Sequence, residues 1–162
     1  MNERTFVLGV GAQKAGTTWL HSYVASSANA NMGFTKEYHI WDAVCSPLCN
    51  NFRLHKHQLS KLNTLNYLRY CMQEIPGFYE GYFNSIFNSG AKITGDITPS
   101  YSVLTEGDFH KIKDKINFKL VIIGEGSEKK NLLNFINENN HLARKIRAVD
   151  RRKLFLGGAQ CA

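Results

Sequence analysis

Apolar residues in this chain occur in short runs separated by longer stretches of mixed polarity. Residues 5–10 form a brief apolar run interrupted only by one glycine, and residues 118–124 form a second. Runs of this length next to turn residues are typical of buried strands, and residues 91–96 predict a third, shorter strand. Because helical stretches lie between these runs, the pattern predicts an α/β fold with a mostly parallel sheet covered by helices on both faces.

The stretches of mixed polarity predict helices separated by irregular segments. The expected helices are residues 16–28, 59–73, 78–87, 106–116 and 127–139. Apolar side chains at helical spacing are expected to face the core, namely Trp19, Leu20, Tyr23 and Val24 in the first helix and Leu62, Leu65, Leu68 and Met72 in the second. Residues 36–42 are expected to begin as a short strand and end in a loop. Residues 43–58, which contain Pro47, are expected to form a surface loop.

Composition narrows the class of protein. The chain has 162 residues, of which 43% are apolar, so it is long enough for one domain with its own core. No run approaches the roughly 20 apolar residues of a membrane span. The first apolar run belongs to the first predicted strand rather than to a secretory leader. We therefore expect a cytoplasmic protein that does not bind membranes.

The net charge of +7 favours an anionic partner. A nucleotide or acidic glycan is one candidate partner, and a nucleic acid is the other. The positive charges are scattered, apart from the stretches Lys111–Lys115 and Arg144–Lys153. No helix-turn-helix, zinc-finger or RNA-binding signature accompanies them, so a nucleic-acid partner is not expected.

The cysteines are expected to be free thiols, and no metal site is expected. The four cysteines are Cys45, Cys49, Cys71 and Cys161. Cys45 and Cys49 together with His55 and His57 match no familiar zinc spacing. A bridge between Cys45 and Cys49 would require an oxidising compartment.

Candidate chemistry begins at the turn after the first predicted strand. Gly11 and Gly16 would allow the backbone to approach an anion closely. The first amides of the following helix have no partners within that helix. Lys14 adds a positive charge, and Thr17 and Thr18 add hydroxyl donors. The combination predicts a phosphate-binding loop, and the alternative is an ordinary strand–turn–helix in which Lys14 is solvated.

The loop resembles that of a known enzyme family. Gly11–Leu20 (GAQKAGTTWL) is not a Walker A sequence, in which lysine directly follows the last glycine. It resembles the 5′-phosphosulfate-binding loop of sulfotransferases that use 3′-phosphoadenosine-5′-phosphosulfate (PAPS). The resemblance implies that Lys14 stabilises the leaving group and that no metal takes part. It implies donor binding by Gln13, Lys14, Ala15, Gly16, Thr17, Thr18 and Trp19.

Two further segments resemble the same family. Lys36–Asp42 (KEYHIWD) resembles the Lys-Glu-x-His-aromatic-aromatic-Asp segment of bacterial and heparan-type sulfotransferases. That match implies Glu37 as the general base, with His39 as the competing base. Gly95–Tyr101 (GDITPSY) is similar to the Glu-Lys-Thr/Ser-Pro-x-Tyr segment that lines the acceptor cleft, although Ile97 stands where lysine is common. The residues implied to bind the acceptor are Lys36, Thr98, Ser100 and Tyr101.

The resemblance covers about residues 5–118 and implies a P-loop-like, three-layer fold in complete or truncated form. The implied activity is transfer of a sulfuryl group from PAPS to a hydroxyl or amine of a glycan or small molecule. Residues 1–118 would form the phosphosulfate-binding domain. Residues 119–162 would be a divergent segment that completes this domain or is appended to it, and the oligomeric state stays open.

The chain departs from the family after the strand predicted at 118–124. Sulfotransferases carry an Arg-Asp/Asn-Pro turn and a serine there, which grip the 3′-phosphate of the donor, whereas this chain has Gly124–Lys130 (GEGSEKK). Residues 118–140 instead resemble a donor-domain strand–turn–helix of GT-B glycosyltransferases. Two alternatives therefore stay open: a catalytically inactive sulfotransferase-like nucleotide-binding domain, and a fragment of a nucleotide-sugar glycosyltransferase. A P-loop kinase is a more distant alternative.

Overall fold

The described strands form one parallel sheet. The computed structural model describes residues 4–11 and 13–116 and the strands at 118–123 and 147–149. The strands in these ranges are β1 (Thr5–Gly11), β2 (Ile93–Ile97), β3 (Phe118–Ile123) and β4 (Arg147–Val149). They lie in the order β2-β1-β3-β4, and all three pairings are parallel. The structure thus mixes helix and strand around a parallel sheet, as the α/β prediction requires.

Two glycines set the close approach of β1 and β2. A Cβ atom on Gly95 would lie 2.1 Å from the carbonyl oxygen of Val7, which is its register partner on β1. A Cβ atom on Gly9 would lie 2.7 Å from a methyl carbon of Ile97. Both distances are too short for any side chain, so glycine is required at these two positions.

Five α-helices surround the sheet in the described part of the chain. They are α1 (Thr17–Ala25), α2 (Trp41–Cys45), α3 (Thr64–Glu74), α4 (Phe78–Asn88) and α5 (Glu106–Lys115). Short 3₁₀ helices occupy Pro47–Phe52, Lys56–Lys61 and Pro99–Val103. Asn63 caps α3 by accepting from the Asn66 amide at 2.9 Å, and Thr105 and Asp108 form a capping box at the start of α5. None of the described helices has the length and apolar character needed to cross a membrane.

The two faces of β1 and β2 pack against different clusters. Phe6, Leu8 and Val10 alternate along β1 and enter the larger cluster, to which the helices contribute Trp41, Met72, Tyr79, Phe83, Phe109 and Ile112. On the opposite face, Ile97 packs with Leu20 of α1 and with Met32. Ile97 must lie on that face, because it abuts Gly9 and successive strand residues point to opposite sides. Helices therefore cover both faces, as predicted.

The prediction of a short strand within residues 36–42 is wrong. Residues 36–40 are irregular, and α2 begins at Trp41. His39 has a φ of 54°, which is outside the extended region. The amides on either side of it donate to buried side-chain hydroxyls rather than to a strand. Those hydroxyls come from residues about sixty positions away in the sequence, so no local pattern could predict these hydrogen bonds.

Other local predictions also need correction. The surface loop expected at 43–58 contains the end of α2, one 3₁₀ helix and the start of another. The first 3₁₀ helix begins at Pro47, a position where proline is favourable because the first amide of a helix has no partner within the helix. Trp19 and Tyr23 are exposed and stack on each other instead of facing the core, because α1 buries only the narrow stripe of Thr17 and Leu20. Leu65 of α3 is also exposed, whereas Met72 is buried as predicted. The helix expected at 127–139 lies outside the described residues.

Candidate functional site

A cleft of about 480 Å³ opens where β1 and β2 end. The loop after β1 and the turn after β2 form two of its walls, and the irregular segment before α2 forms a third. Ligands of parallel α/β sheets bind at this carboxyl edge. The residues that line the cleft are Gln13, Lys14, Gly16, Thr17, Thr18, Lys36, Glu37, His39, Phe52, Pro99 and Ser100.

The loop after β1 presents the positive end of α1 to the cleft. Gly16 has a φ of 95° and is the N-cap residue of α1, so it provides no side chain to cap the first amides. The first turn of α1 carries no acidic residue. Lys14 is exposed and also has a left-handed backbone, with a φ of 63°. Free amides, a helix dipole and a lysine converge at this wall of the cleft, which suits it to an anion.

Lys36 joins the loop after β1 to the segment before α2. Its ammonium donates to the Thr18 hydroxyl at 3.0 Å and lies 3.4 Å from that of Thr17. It also contacts the Glu37 carboxylate at 2.6 Å. Lys36 therefore places a second positive charge, after that of Lys14, at the wall formed by the loop after β1.

His39 lies between two carboxylates. Its Nδ1 donates to Asp42 at 2.7 Å, and its Nε2 lies 3.4 Å from Glu37. The Asp42 side chain is fully buried and also accepts from the Ser100 hydroxyl and from the Ala43 amide. These donors use both oxygens of Asp42. Because a carboxylate can only accept, the bond to Asp42 keeps the proton of His39 on Nδ1, and Nε2 faces Glu37.

This arrangement differs from that of a serine hydrolase. In a Ser-His-Asp triad, the serine and the carboxylate contact opposite ring nitrogens. Here Ser100 lies 3.3 Å from Nδ1 of His39, the same nitrogen that donates to Asp42. Ser100 is therefore not activated by His39 as a nucleophile.

Three contacts fix the strained backbone of His39. The imidazole stacks on Phe52 with 3.6 Å between ring centroids and an angle of 9° between the rings. Gln73 donates to the His39 carbonyl at 2.8 Å, and Arg69 donates to the neighbouring carbonyl of Glu37 at 2.8 Å. A left-handed conformation at a non-glycine residue costs on the order of 1–3 kcal/mol and persists only where the surroundings hold it.

The predicted site residues divide into those that line the cleft and those that do not. Gln13, Lys14, Gly16, Thr17, Thr18, Lys36, Glu37, His39 and Ser100 line it. Ala15 packs toward Leu20 and Ile97, and Trp19 stacks on Tyr23 outside the cleft.

Thr98 and Tyr101 are completely buried and turn away from the cleft. Their hydroxyls donate to Asp96 at 2.6 and 2.5 Å. In the turn after β2, Pro99 and Ser100 line the cleft in their place. Burial raises the pKa of Asp96 to about 6, even though these hydroxyl bonds favour its carboxylate form.

Sequence reasoning did not single out Asp42, Phe52, Arg69 or Gln73 as site residues. Asp42 has a local signal, because it lies three positions after His39, at the start of α2. Phe52, Arg69 and Gln73 approach His39 and Glu37 only through tertiary packing.

Among the described residues, no group of three or more His, Cys, Asp or Glu side chains is placed to hold a metal ion. Cys45, Cys49 and Cys71 are free thiols. Burial raises the pKa of the Cys45 and Cys49 thiols, which makes both poor nucleophiles.

Comparisons of the chain with models of protein families, with curated proteins and with solved structures found no match.

Proposed function

We propose that this chain is a PAPS-dependent sulfotransferase, which transfers a sulfuryl group to a hydroxyl or amine of a glycan or small-molecule acceptor. One observation carries the proposal: a single cleft combines residues 13–18, residues 36–39 and the Pro99–Ser100 turn. These segments are far apart in the sequence, and they are the three that resemble sulfotransferases. A P-loop-like, three-layer fold is the finer architecture that accompanies this proposal.

The residues of the first wall fit a phosphosulfate group. Lys14 and Lys36 supply positive charge, Thr17 and Thr18 supply hydroxyls, and the first amides of α1 follow the left-handed Gly16. Sulfate and phosphate oxygens are bound by such combinations of amides and cations. When bound, PAPS supplies the sulfuryl group and a 3′,5′-diphosphate leaving group.

The chain's own residues would divide the remaining work. Lys14 stabilises the negative charge that builds on the leaving oxygen, which is preorganised electrostatic catalysis. Glu37 takes the proton of the attacking acceptor, a role that typically contributes about 10²–10⁴-fold. Its side chain is 35% exposed, whereas that of the competing base His39 is 12% exposed, so Glu37 is the more accessible of the two. Nε2 of His39 lies 3.4 Å from the second Glu37 oxygen.

Calorimetric titration with 3′-phosphoadenosine-5′-phosphate tests the donor site, with 5′-AMP as the control ligand. We expect binding that AMP does not reproduce. Lys14→Ala should weaken it by roughly 10- to 150-fold, since hydrogen bonds to charged groups contribute about 1.5–3 kcal/mol. The matched variant Lys92→Ala, at an exposed lysine just before the amino end of β2 and so at the opposite end of that strand from the cleft, should leave the affinity unchanged.

Turnover of PAPS with hydroxyl and amine acceptors then tests the reaction. Binding of 3′-phosphoadenosine-5′-phosphate (the 3′,5′-diphosphate) without turnover of PAPS on any acceptor would favour an inactive nucleotide-binding domain. Binding of UDP- or GDP-sugars without binding of the diphosphate would favour a glycosyltransferase fragment. Equal affinity of wild type and Lys14→Ala for the diphosphate would overturn the assignment of the loop.

A further inference from the structure

Asp96 is a fully buried carboxylate at the end of β2 that no step of the proposed reaction uses. Three hydroxyls donate to it: Thr98 at 2.6 Å, Tyr101 at 2.5 Å and Tyr79 at 3.2 Å. Burying a charge in this way is costly unless its hydrogen-bonding capacity is used. The placement of the three donors indicates what it is used for.

Two of the donors are also acceptors for the segment before α2. The Thr98 hydroxyl oxygen accepts from the Tyr38 amide at 3.0 Å, and the Tyr101 oxygen accepts from the Ile40 amide at 3.3 Å. A hydroxyl has one proton and two lone pairs. When its proton is directed to Asp96, its oxygen is free to accept an amide. Each chain of bonds from a backbone amide through a hydroxyl to Asp96 is called a relay here. Because the carboxylate accepts the hydroxyl proton, it fixes the direction of both relays.

The two amides held in this way flank His39, which lies between them with its left-handed backbone. We propose that Asp96 is a positioning residue, which acts through the hydroxyls of Thr98 and Tyr101 to hold the backbone on both sides of His39. It thereby sets where His39 and Glu37 stand in the cleft. The catalytic part of this inference rests on the proposed function, whereas the structural part does not.

Asparagine at position 96 would disturb these relays without changing the volume. An amide group replaces one acceptor oxygen with an NH₂ donor. Oδ1 of Asp96 accepts from Thr98 and Oδ2 accepts from Tyr101, so either orientation of the amide opposes one relay hydroxyl. That hydroxyl would then turn its proton toward the backbone amide it now accepts from.

Tyr79 provides a matched control inside the same network. Its hydroxyl donates to the same Asp96 oxygen as Tyr101 and is equally buried. In the described structure it accepts no amide from residues 38–40. Tyr79→Phe and Tyr101→Phe thus remove the same group from the same carboxylate, but only Tyr101→Phe removes an acceptor of a backbone amide in residues 38–40. The Tyr79 hydroxyl lies next to the indole of Trp41 instead. Thr98→Val is the corresponding variant for the Tyr38 amide.

The first experiment is amide hydrogen exchange at Tyr38 and Ile40, which does not depend on any activity. We expect at least ~10-fold faster exchange at Ile40 in Tyr101→Phe and at Tyr38 in Thr98→Val, because each amide loses its partner. Tyr79→Phe should leave both rates unchanged, and Asp96→Asn should raise at least one. Unchanged exchange at Ile40 in Tyr101→Phe, or equal acceleration in Tyr79→Phe, would overturn the relay.

The second experiment is steady-state kinetics on the same folded variants. We expect kcat to fall by up to ~100-fold in Tyr101→Phe and Thr98→Val, since small displacements of catalytic groups have effects of that size. The KM for the acceptor and the affinity for the diphosphate should change less than about threefold, and Tyr79→Phe should retain its kcat. If Tyr79→Phe and Tyr101→Phe lose kcat to the same extent, in proportion to their loss of folding stability, then the role of Asp96 is purely structural. If the wild type turns over no acceptor while the exchange rates behave as expected, the proposed function fails and the positioning of residues 38–40 stands.

Discussion

Nδ1 of His39 and a carboxylate oxygen of Asp42 lie 2.7 Å apart, with Asp42 fully buried. The pair arises from local geometry, because Asp42 lies in the first turn of α2, directly after the irregular segment that holds His39. The bond assigns the two ring nitrogens different roles. Nδ1 is committed to the protein interior, and Nε2 faces Glu37 and the cleft.

Replacing Asp42 with asparagine should destabilise the fold and impair turnover. Both Asp42 oxygens accept hydrogen bonds, so an NH₂ group in either position meets a buried donor. We expect a loss of about 1–3 kcal/mol in the free energy of unfolding, measured in urea. Turnover of PAPS should fall further than stability explains, since the ring loses the partner that fixes its protonated nitrogen. Asp114→Asn, an exposed position on α5, should stay within about 0.5 kcal/mol of wild type, and an equal effect of the two variants would contradict this role.

Lys36 and Thr18 should act as a unit in donor binding. The lysine ammonium donates to the threonine hydroxyl at 3.0 Å, so each positions the other at the wall of the cleft formed by the loop after β1. A double-mutant cycle of Lys36→Ala and Thr18→Ala, measured on diphosphate affinity, should give a coupling of about 0.5–3 kcal/mol. Lys36→Ala combined with Lys92→Ala should be additive, because Lys92 lies just before β2, at the opposite end of that strand from the cleft. Additivity in both cycles would separate Lys36 from the loop.

The sequence predicted the strands and the loop after β1, where the signals are local. A short apolar run followed by glycine, lysine and threonine needs only its own neighbours to form β1 and the loop after it. The same holds for Glu37 and His39, which stand in one short segment. Glu37 and His39 both line the cleft.

The parts that could not be predicted depend on distant partners. The segment before α2 has the polarity of a short strand, but its amides are satisfied by Thr98 and Tyr101, and His39 is held by Gln73. A pattern of apolar and polar residues does not show that a buried threonine or tyrosine will accept a backbone amide. The expectation that Thr98 and Tyr101 contact an acceptor came from the family resemblance of residues 95–101, whereas in the structure their hydroxyls donate to Asp96.

Gly95→Ala should prevent stable folding, whereas Gly81→Ala should stabilise the protein. A Cβ atom on Gly95 would lie 2.1 Å from the Val7 carbonyl oxygen, and strand backbones cannot move apart without losing the β1–β2 ladder. Overpacking against side chains costs about 1–3 kcal/mol, and a backbone obstacle should cost more.

Gly81 lies within α4, and a Cβ atom there meets nothing within 4 Å. Alanine at that position should add about 0.5–1 kcal/mol through its helix propensity. Thermal and urea unfolding of both variants would show this contrast, and a well-folded Gly95→Ala protein would mean that β1 and β2 are not paired in this register.

The buried Asp96 should make the protein less stable as the pH rises from about 4 to about 6.5. Burial raises the pKa of this group from its ordinary 3.8 to about 6, the nearby Asp42 carboxylate adds to the rise, and the hydroxyls of Thr98, Tyr101 and Tyr79 oppose it. Since the folded state binds the proton more tightly than the unfolded state, stability is highest below pH 4 for this group and falls as it ionises. The full effect is on the order of 3 kcal/mol, at 1.36 kcal/mol per pKa unit.

Urea unfolding of wild type and Asp96→Asn across this range isolates the group, because asparagine does not titrate. The wild type should lose stability relative to the variant as pH rises, and a difference that is constant or of opposite slope would contradict a raised pKa. A carboxylate kept ionised at neutral pH against this cost is what a positioning role predicts, because only the charged form directs both relay hydroxyls away from the backbone of residues 38 and 40.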